Sequence, residues 1–189
     1  MTNKSKMRKK GFTLIETLVA IMLLITAVAG PLTIVSKNLL AARVAKDQIT
    51  AYYLAQDALE YVRFARDTNR LKGADWLTGA GGASAGIDLA PCTGASGCYL
   101  DSTSNTPTTP TACSGTCPTI NYSSATDRAT YAPIGSGITS TQFTRTVTIA
   151  PPTGNPPDER ILVVAVRWGS ATGAGARTVI IQENIYNWQ

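Results

Sequence analysis

The stretch that decides the fold is Lys9-Lys10-Gly11-Phe12-Thr13-Leu14-Ile15-Glu16, which joins a basic leader to an unbroken apolar run holding one charge, Glu16. Between Phe12 and Ala29 ten residues are Leu, Ile, Val or Phe. Each contributes about −0.3 to −0.6 kcal/mol to membrane insertion, against about 3 kcal/mol for one central acid. The segment therefore inserts despite Glu16. An ionisable side chain inside a membrane segment is costly unless paired, so Glu16 reads as functional. No basic residue lies in the apolar run. Its partner must come from another chain or from a new charge, the free amine of Phe12 that cleavage after Gly11 would create.

On these residues the segment resembles the class III signal and N-terminal helix of type IV prepilins and pseudopilins, over Lys9 to roughly Asn69. The resemblance implies that a prepilin peptidase and N-methyltransferase cleaves after Gly11 and methylates Phe12. It also implies that Glu16 pairs with the amine of a neighbouring subunit during assembly. Thr17 departs from the leucine usual in the family, one polar residue in a long apolar run.

The leader also accounts for the charge balance. The chain has 17 basic and 12 acidic residues, but Lys4, Lys6, Arg8, Lys9 and Lys10 precede Gly11, leaving twelve of each beyond it. The basic pI thus indicates no specific nucleic acid partner. The five leader charges instead predict a cytoplasmic N-terminus, with everything after the helix outside the inner membrane.

Gly30-Pro31 removes one backbone donor and predicts a kink or a loosened turn. Beyond it Ala45, Ile49, Tyr52, Ala55, Leu59 and Val62 recur at spacings of three or four. Arg43 with Asp47 and Arg63 with Asp67 are spaced for i, i+4 pairs. The expectation is an amphipathic helix to about Asn69, roughly 87 Å from Phe12 if unbroken, whose first half spans a bilayer of about 30 Å and whose second half packs. Tyr52, Tyr53 and Tyr61 read as core or interface residues.

From Leu77 to about Pro118 the chain is rich in Gly, Ala, Ser, Thr and Pro, including Gly-Ala-Gly-Gly-Ala-Ser-Ala-Gly at 79–86. Such a segment buries little surface to offset its ordering entropy and predicts a long loop laid over a globular head. Its four cysteines, Cys92, Cys98, Cys113 and Cys117, predict two disulfides in an extracellular setting. Proximity favours Cys92 with Cys98 and Cys113 with Cys117, among three possible pairings. A zinc site is disfavoured by the absence of any Cys-x-x-Cys or histidine, so no metal and no cofactor is expected.

Phe143, Arg145, Val147 and Ile149 alternate with threonines, Ile161 to Trp168 is a nearly continuous apolar strand, and Arg177 to Ile185 returns after a glycine-rich turn. These predict an antiparallel meander covered on one face by the helix. The fold class is therefore α+β: a long N-terminal transmembrane and amphipathic helix packed on a C-terminal antiparallel sheet, similar to a pilin. Val-Arg-Trp-Gly at 166–169 and Asn-Trp at 187–188 resemble minor pilins. The expected organisation is a leader at 1–11, a membrane or filament-core helix at 12–35, its amphipathic continuation at 36–69, a cysteine-bearing loop region at 70–140 and the sheet at 141–189.

Enzyme chemistry finds no support. There is no histidine, no phosphate-binding glycine loop and no nucleophile elbow, and the adjacent acids Asp158 and Glu159 point to opposite faces of an extended chain. What the resemblance implies is a structural subunit, a minor pilin, of an extracellular type IV pilus-like filament. Its partners would be the peptidase, other pilin subunits, an inner-membrane assembly platform and membrane lipid. A pseudopilin of a type II secretion system shares every N-terminal feature. A membrane-anchored adhesion or DNA-capture module, using Trp168, Tyr186 and Trp188 as an aromatic patch, is a third reading, although tryptophans at strand ends are better read as core or edge packing.

Overall fold

The computed structural model describes residues 11–102, 108–131, 137–154, 156–169 and 175–187. The chain divides between Lys46 and Asp47 into an N-terminal unit and a head unit. One α-helix, α1 (Leu14–Leu71), contributes to both.

In the N-terminal unit the helix is apolar and, among the described residues, exposed from Leu14 to Arg43. Its most hydrophobic 18-residue window has a mean hydropathy of 2.5 and none of it is buried. The hydroxyls in this stretch turn back on their own helix: Thr26 Oγ1 donates to the Leu23 carbonyl at 3.0 Å, Thr33 Oγ1 to Gly30 at 2.7 Å and Ser36 Oγ to Leu32 at 2.9 Å. Self-satisfied hydroxyls add little cost in hydrocarbon, where no water is present to accept them. The chain stays helical through Pro31.

The head unit is a seven-stranded antiparallel sheet with the second half of α1 on one face. In chain order the strands are β1 (Cys98–Tyr99), β2 (Thr111–Ala112), β3 (Thr119–Ser123), β4 (Arg128–Thr130), β5 (Ile138–Ala150), β6 (Glu159–Trp168) and β7 (Arg177–Tyr186). The 13-residue β5 organises the rest: β6 pairs along one edge from Thr144 to Ala150, with β7 beyond it. The other edge of β5 is shared by β3, over Ile138 to Thr144, and by β1 at Val147. Strict alternation sends Phe143, Arg145, Val147 and Ile149, with Leu162, Val164 and Val166, into the core. The meander expected from the C-terminal third is present.

Against this face α1 sets Ala51, Ala55, Ala58, Val62 and Ala65, all fully buried. The packing face expected from the sequence is only half right: Ala55, Leu59 and Val62 are buried, but Ile49 and Tyr52 are exposed. The reason is geometric. The row Ala45 to Val62 advances 3.4 residues per step, so against the 3.6 of an α-helix it drifts by about 100°. The row Ala51, Ala55, Ala58, Val62, Ala65, Asn69 advances 3.6 per step and stays on one face.

The described part of the segment 70–140 is also more than a loop. It supplies β1 to β4, and Trp76, Ile87, Leu89, Leu100 and Ile120 are buried in the common core. Asn69, fully buried at the end of α1, holds the glycine-rich part: its Nδ2 donates to the Ile87 carbonyl at 2.8 Å and its Oδ1 accepts from Ile87 N at 2.7 Å. Gly86 is required here, because a Cβ would lie 2.5 Å from Asn69 Oδ1. A few apolar anchors and one buried amide thus order a segment whose composition suggests none.

Candidate assembly surface

At the N-terminus, Gly11, Phe12 and Glu16 lie exposed at and just before the first turn of α1. Thr13 Oγ1 accepts a hydrogen bond from the Glu16 backbone N at 3.3 Å. Thr13 therefore caps the helix, and Thr13-x-x-Glu16 has the spacing of a capping box, a signal present in the sequence and not used in reading it. The Glu16 carboxylate stands where the helix dipole favours negative charge. A Cβ added at Gly11 would meet nothing within 4 Å. The fold makes no demand for glycine at this position, so any such demand comes from another molecule.

In the head, Arg145 is the residue whose role sequence reading missed. It sits on the inward face of β5, 1% exposed. Its Nη1 donates to the Leu54 carbonyl at 2.8 Å and to Asp57 Oδ2 at 2.7 Å, and Nη2 donates to the Leu100 carbonyl at 2.8 Å. Ser102 Oγ donates to the same Asp57 oxygen at 2.7 Å. One guanidinium thus joins helix, central strand and the segment after β1. The visible signal was a charge at an apolar position of an alternating strand.

The expected i, i+4 pair of Arg63 with Asp67 does not form. Arg63 instead grips Glu183 of β7 through two bonds of 3.1 and 2.5 Å, and Asp67 takes Arg66 at 2.8 Å. Of the tyrosines, Tyr61 is buried, its hydroxyl donating to the Thr108 carbonyl, while Tyr52 and Tyr53 face solvent. Burial pushes the Tyr61 hydroxyl above its ordinary pKa, with the hydrogen bond to Thr108 opposing. Asp158 and Glu159 accept from Asn187 and Asn184, both at 2.9 Å, and so fasten the end of β7.

The cysteines are bonded as Cys92–Cys98 and Cys113–Cys117, all four buried. Both bridges meet at the β1–β2 pairing, where Cys98 faces Ala112 and Cys113 N donates to the Gly97 carbonyl at 2.9 Å. Trp168 is buried against Phe143, so it offers no exposed aromatic surface; Trp188 and the leader lie outside the described residues. No cluster of metal-ligating side chains occurs among the described residues.

Residues 6–30 match the family model of the prokaryotic N-terminal methylation motif. No curated protein and no solved structure matches the chain. The motif, followed by an uncovered apolar helix and an antiparallel sheet, supports a type IV pilin- or pseudopilin-type protein. It implies processing by a prepilin peptidase and assembly with other pilins.

Proposed function

We propose that the chain is a structural subunit, a minor pilin, of a type IV pilus-like extracellular filament. The carrying observation is an apolar helix that is exposed among the described residues and has a single acid in its first turn. In the inner membrane that helix stores the subunit with its leader in the cytoplasm. Cleavage after Gly11 frees the amine of Phe12, which is then N-methylated. In the filament the helix leaves lipid for a bundle of equivalent helices, where Glu16 of one subunit neutralises the Phe12 amine of its neighbour. A wrong axial register leaves both charges buried and unpaired, at several kcal/mol, so the pair selects register. The head is carried outside, where its two disulfides are stable.

Mass spectrometry of sheared surface filaments tests this directly. The expected result is the chain as a low-abundance component beginning at N-methylated Phe12. Recovery only from the periplasm, in cells whose secretion depends on the chain, would instead establish the pseudopilin role.

A further inference from the structure

Among the described residues the sheet ends on three strands of unequal length: β2 with two residues, β4 with three and β7 with ten. A short edge is itself a protection against pairing with other chains, and long edges are commonly guarded by proline, a bulge or a charge in mid-strand. β7 has none of these between Arg177 and Glu183, where it reads Thr178-Val179-Ile180-Ile181-Gln182. Its ten residues pair in unbroken register with β6 on one side, and no strand pairs its other side among the described residues. That side therefore presents a row of backbone donors and acceptors with no ladder of its own. Only the far end is held, by Arg66 Nη1 donating to the Tyr186 carbonyl at 3.5 Å. Val179 and Ile181 pack toward the core, so Ile180, 64% exposed, stands on the sheet face turned away from α1. On the α1 side a groove of about 250 Å³ lies between α1 and β7, lined by Tyr52, Leu59, Glu60, Arg63, Ile181 and Glu183 among others.

We propose that β7 is a docking edge, at which an extended segment of a different subunit of the filament adds a further strand to the sheet. The inference rests on the filament reading above and names the element through which the head meets a neighbour. The edge selects its occupant by chemistry: backbone groups spaced along a strand are met in full only by another strand. Side chains of that strand alternate, so one set enters the groove beside Tyr52 and Ile181 and the other lies next to Ile180 on the outer face. The occupant therefore carries apolar or β-branched side chains on both faces over about five residues. A low-abundance subunit has other proteins as its neighbours, so the strand comes from one of them. An edge left unguarded over ten residues is a hazard to a chain stored in the membrane, unless a partner covers it.

The test reads amide hydrogen exchange residue by residue along β7 in the full chain, first in detergent and then in sheared filaments. In detergent, alternate amides from Thr178 to Gln182 should exchange fast, because only every second one bonds to β6. In filaments that fast set should slow by at least about tenfold. A fast set that stays fast overturns the docking edge. Ile180→Lys, which puts a charge in the middle of the edge, should lower the ratio of subunit in filaments to subunit in the membrane at least about fivefold. Val163→Lys lies on the same outer face one strand inward, opposite Gln182, and should leave that ratio within about twofold of wild type. An equal loss at Val163 would assign the contact to the sheet face and overturn the edge. Gln182→Cys, oxidised in filaments, should yield no dimer of the chain with itself; such a dimer would put a second copy in place of the different subunit and overturn the proposed partner. Absence of the wild-type chain from filaments overturns the filament reading itself and, with it, this partner.

Discussion

The two halves of α1 follow opposite packing rules. In the N-terminal unit every large apolar side chain from Leu14 to Leu40 is exposed among the described residues. In the head unit the helix buries a row of alanines and leaves Ile49, Tyr53 and Phe64 outside. Side-chain size therefore does not by itself mark the inner face. Large residues turned outward in both halves are surface available to other molecules.

The largest expected effect concerns the uncovered half. Glu16→Ala should leave insertion and cleavage intact, since it removes about 3 kcal/mol of insertion cost. It should reduce incorporation into filaments by about 100-fold, because a neighbour's amine is then buried without its carboxylate. An unchanged filament-to-membrane ratio, with cleavage verified, would remove the assigned difference between the halves.

In the covered half, Asp57 and Arg145 should prove unequal. Asp57→Ala strands a guanidinium that is 1% exposed and should cost about 3–5 kcal/mol of head stability. Arg145→Met leaves behind a carboxylate whose side chain is 42% exposed and can be hydrated, so its cost should be smaller, about 1–3 kcal/mol. Urea unfolding of the detergent-solubilised chain, followed by tryptophan fluorescence, measures both; equal costs would mean that the pair's burial is not what sets its energy. The smallest effects compare the two faces directly. Ala58→Leu should destabilise by about 1–3 kcal/mol through overpacking, whereas Ile49→Ala should change stability by less than about 0.5 kcal/mol. The same unfolding curves decide, and the reverse order would put the packing face where the larger residues are.

Legibility in the sequence followed the range of the interactions. Gly11, Phe12 and Glu16 could be singled out because their signal is local: an apolar run long enough to cross a bilayer, one acid, and a charged leader within a few residues. The alternation of β5 and β6 was equally plain, since a strand with one buried face repeats every second residue. What sequence reading lost were choices made across long separations. Arg145 finds Asp57 88 positions away, and Arg63 prefers Glu183, 120 positions away, to Asp67 four positions on. Asn69 orders a glycine-rich segment that composition alone marks as a loop.

By itself, then, the sequence determined that this chain has a long apolar helix with a lone acid and an alternating antiparallel sheet, because both are fixed by periodicity and hydrophobicity within short windows. Only the tertiary structure decided which row of α1 is buried, which cysteines are joined, and which distant charges pair, as Arg145 does with Asp57 and Arg63 with Glu183. Those outcomes depend on which groups are brought within a few ångströms by the fold, and a polar or charged side chain takes the partner whose burial and geometry best offset its lost hydration.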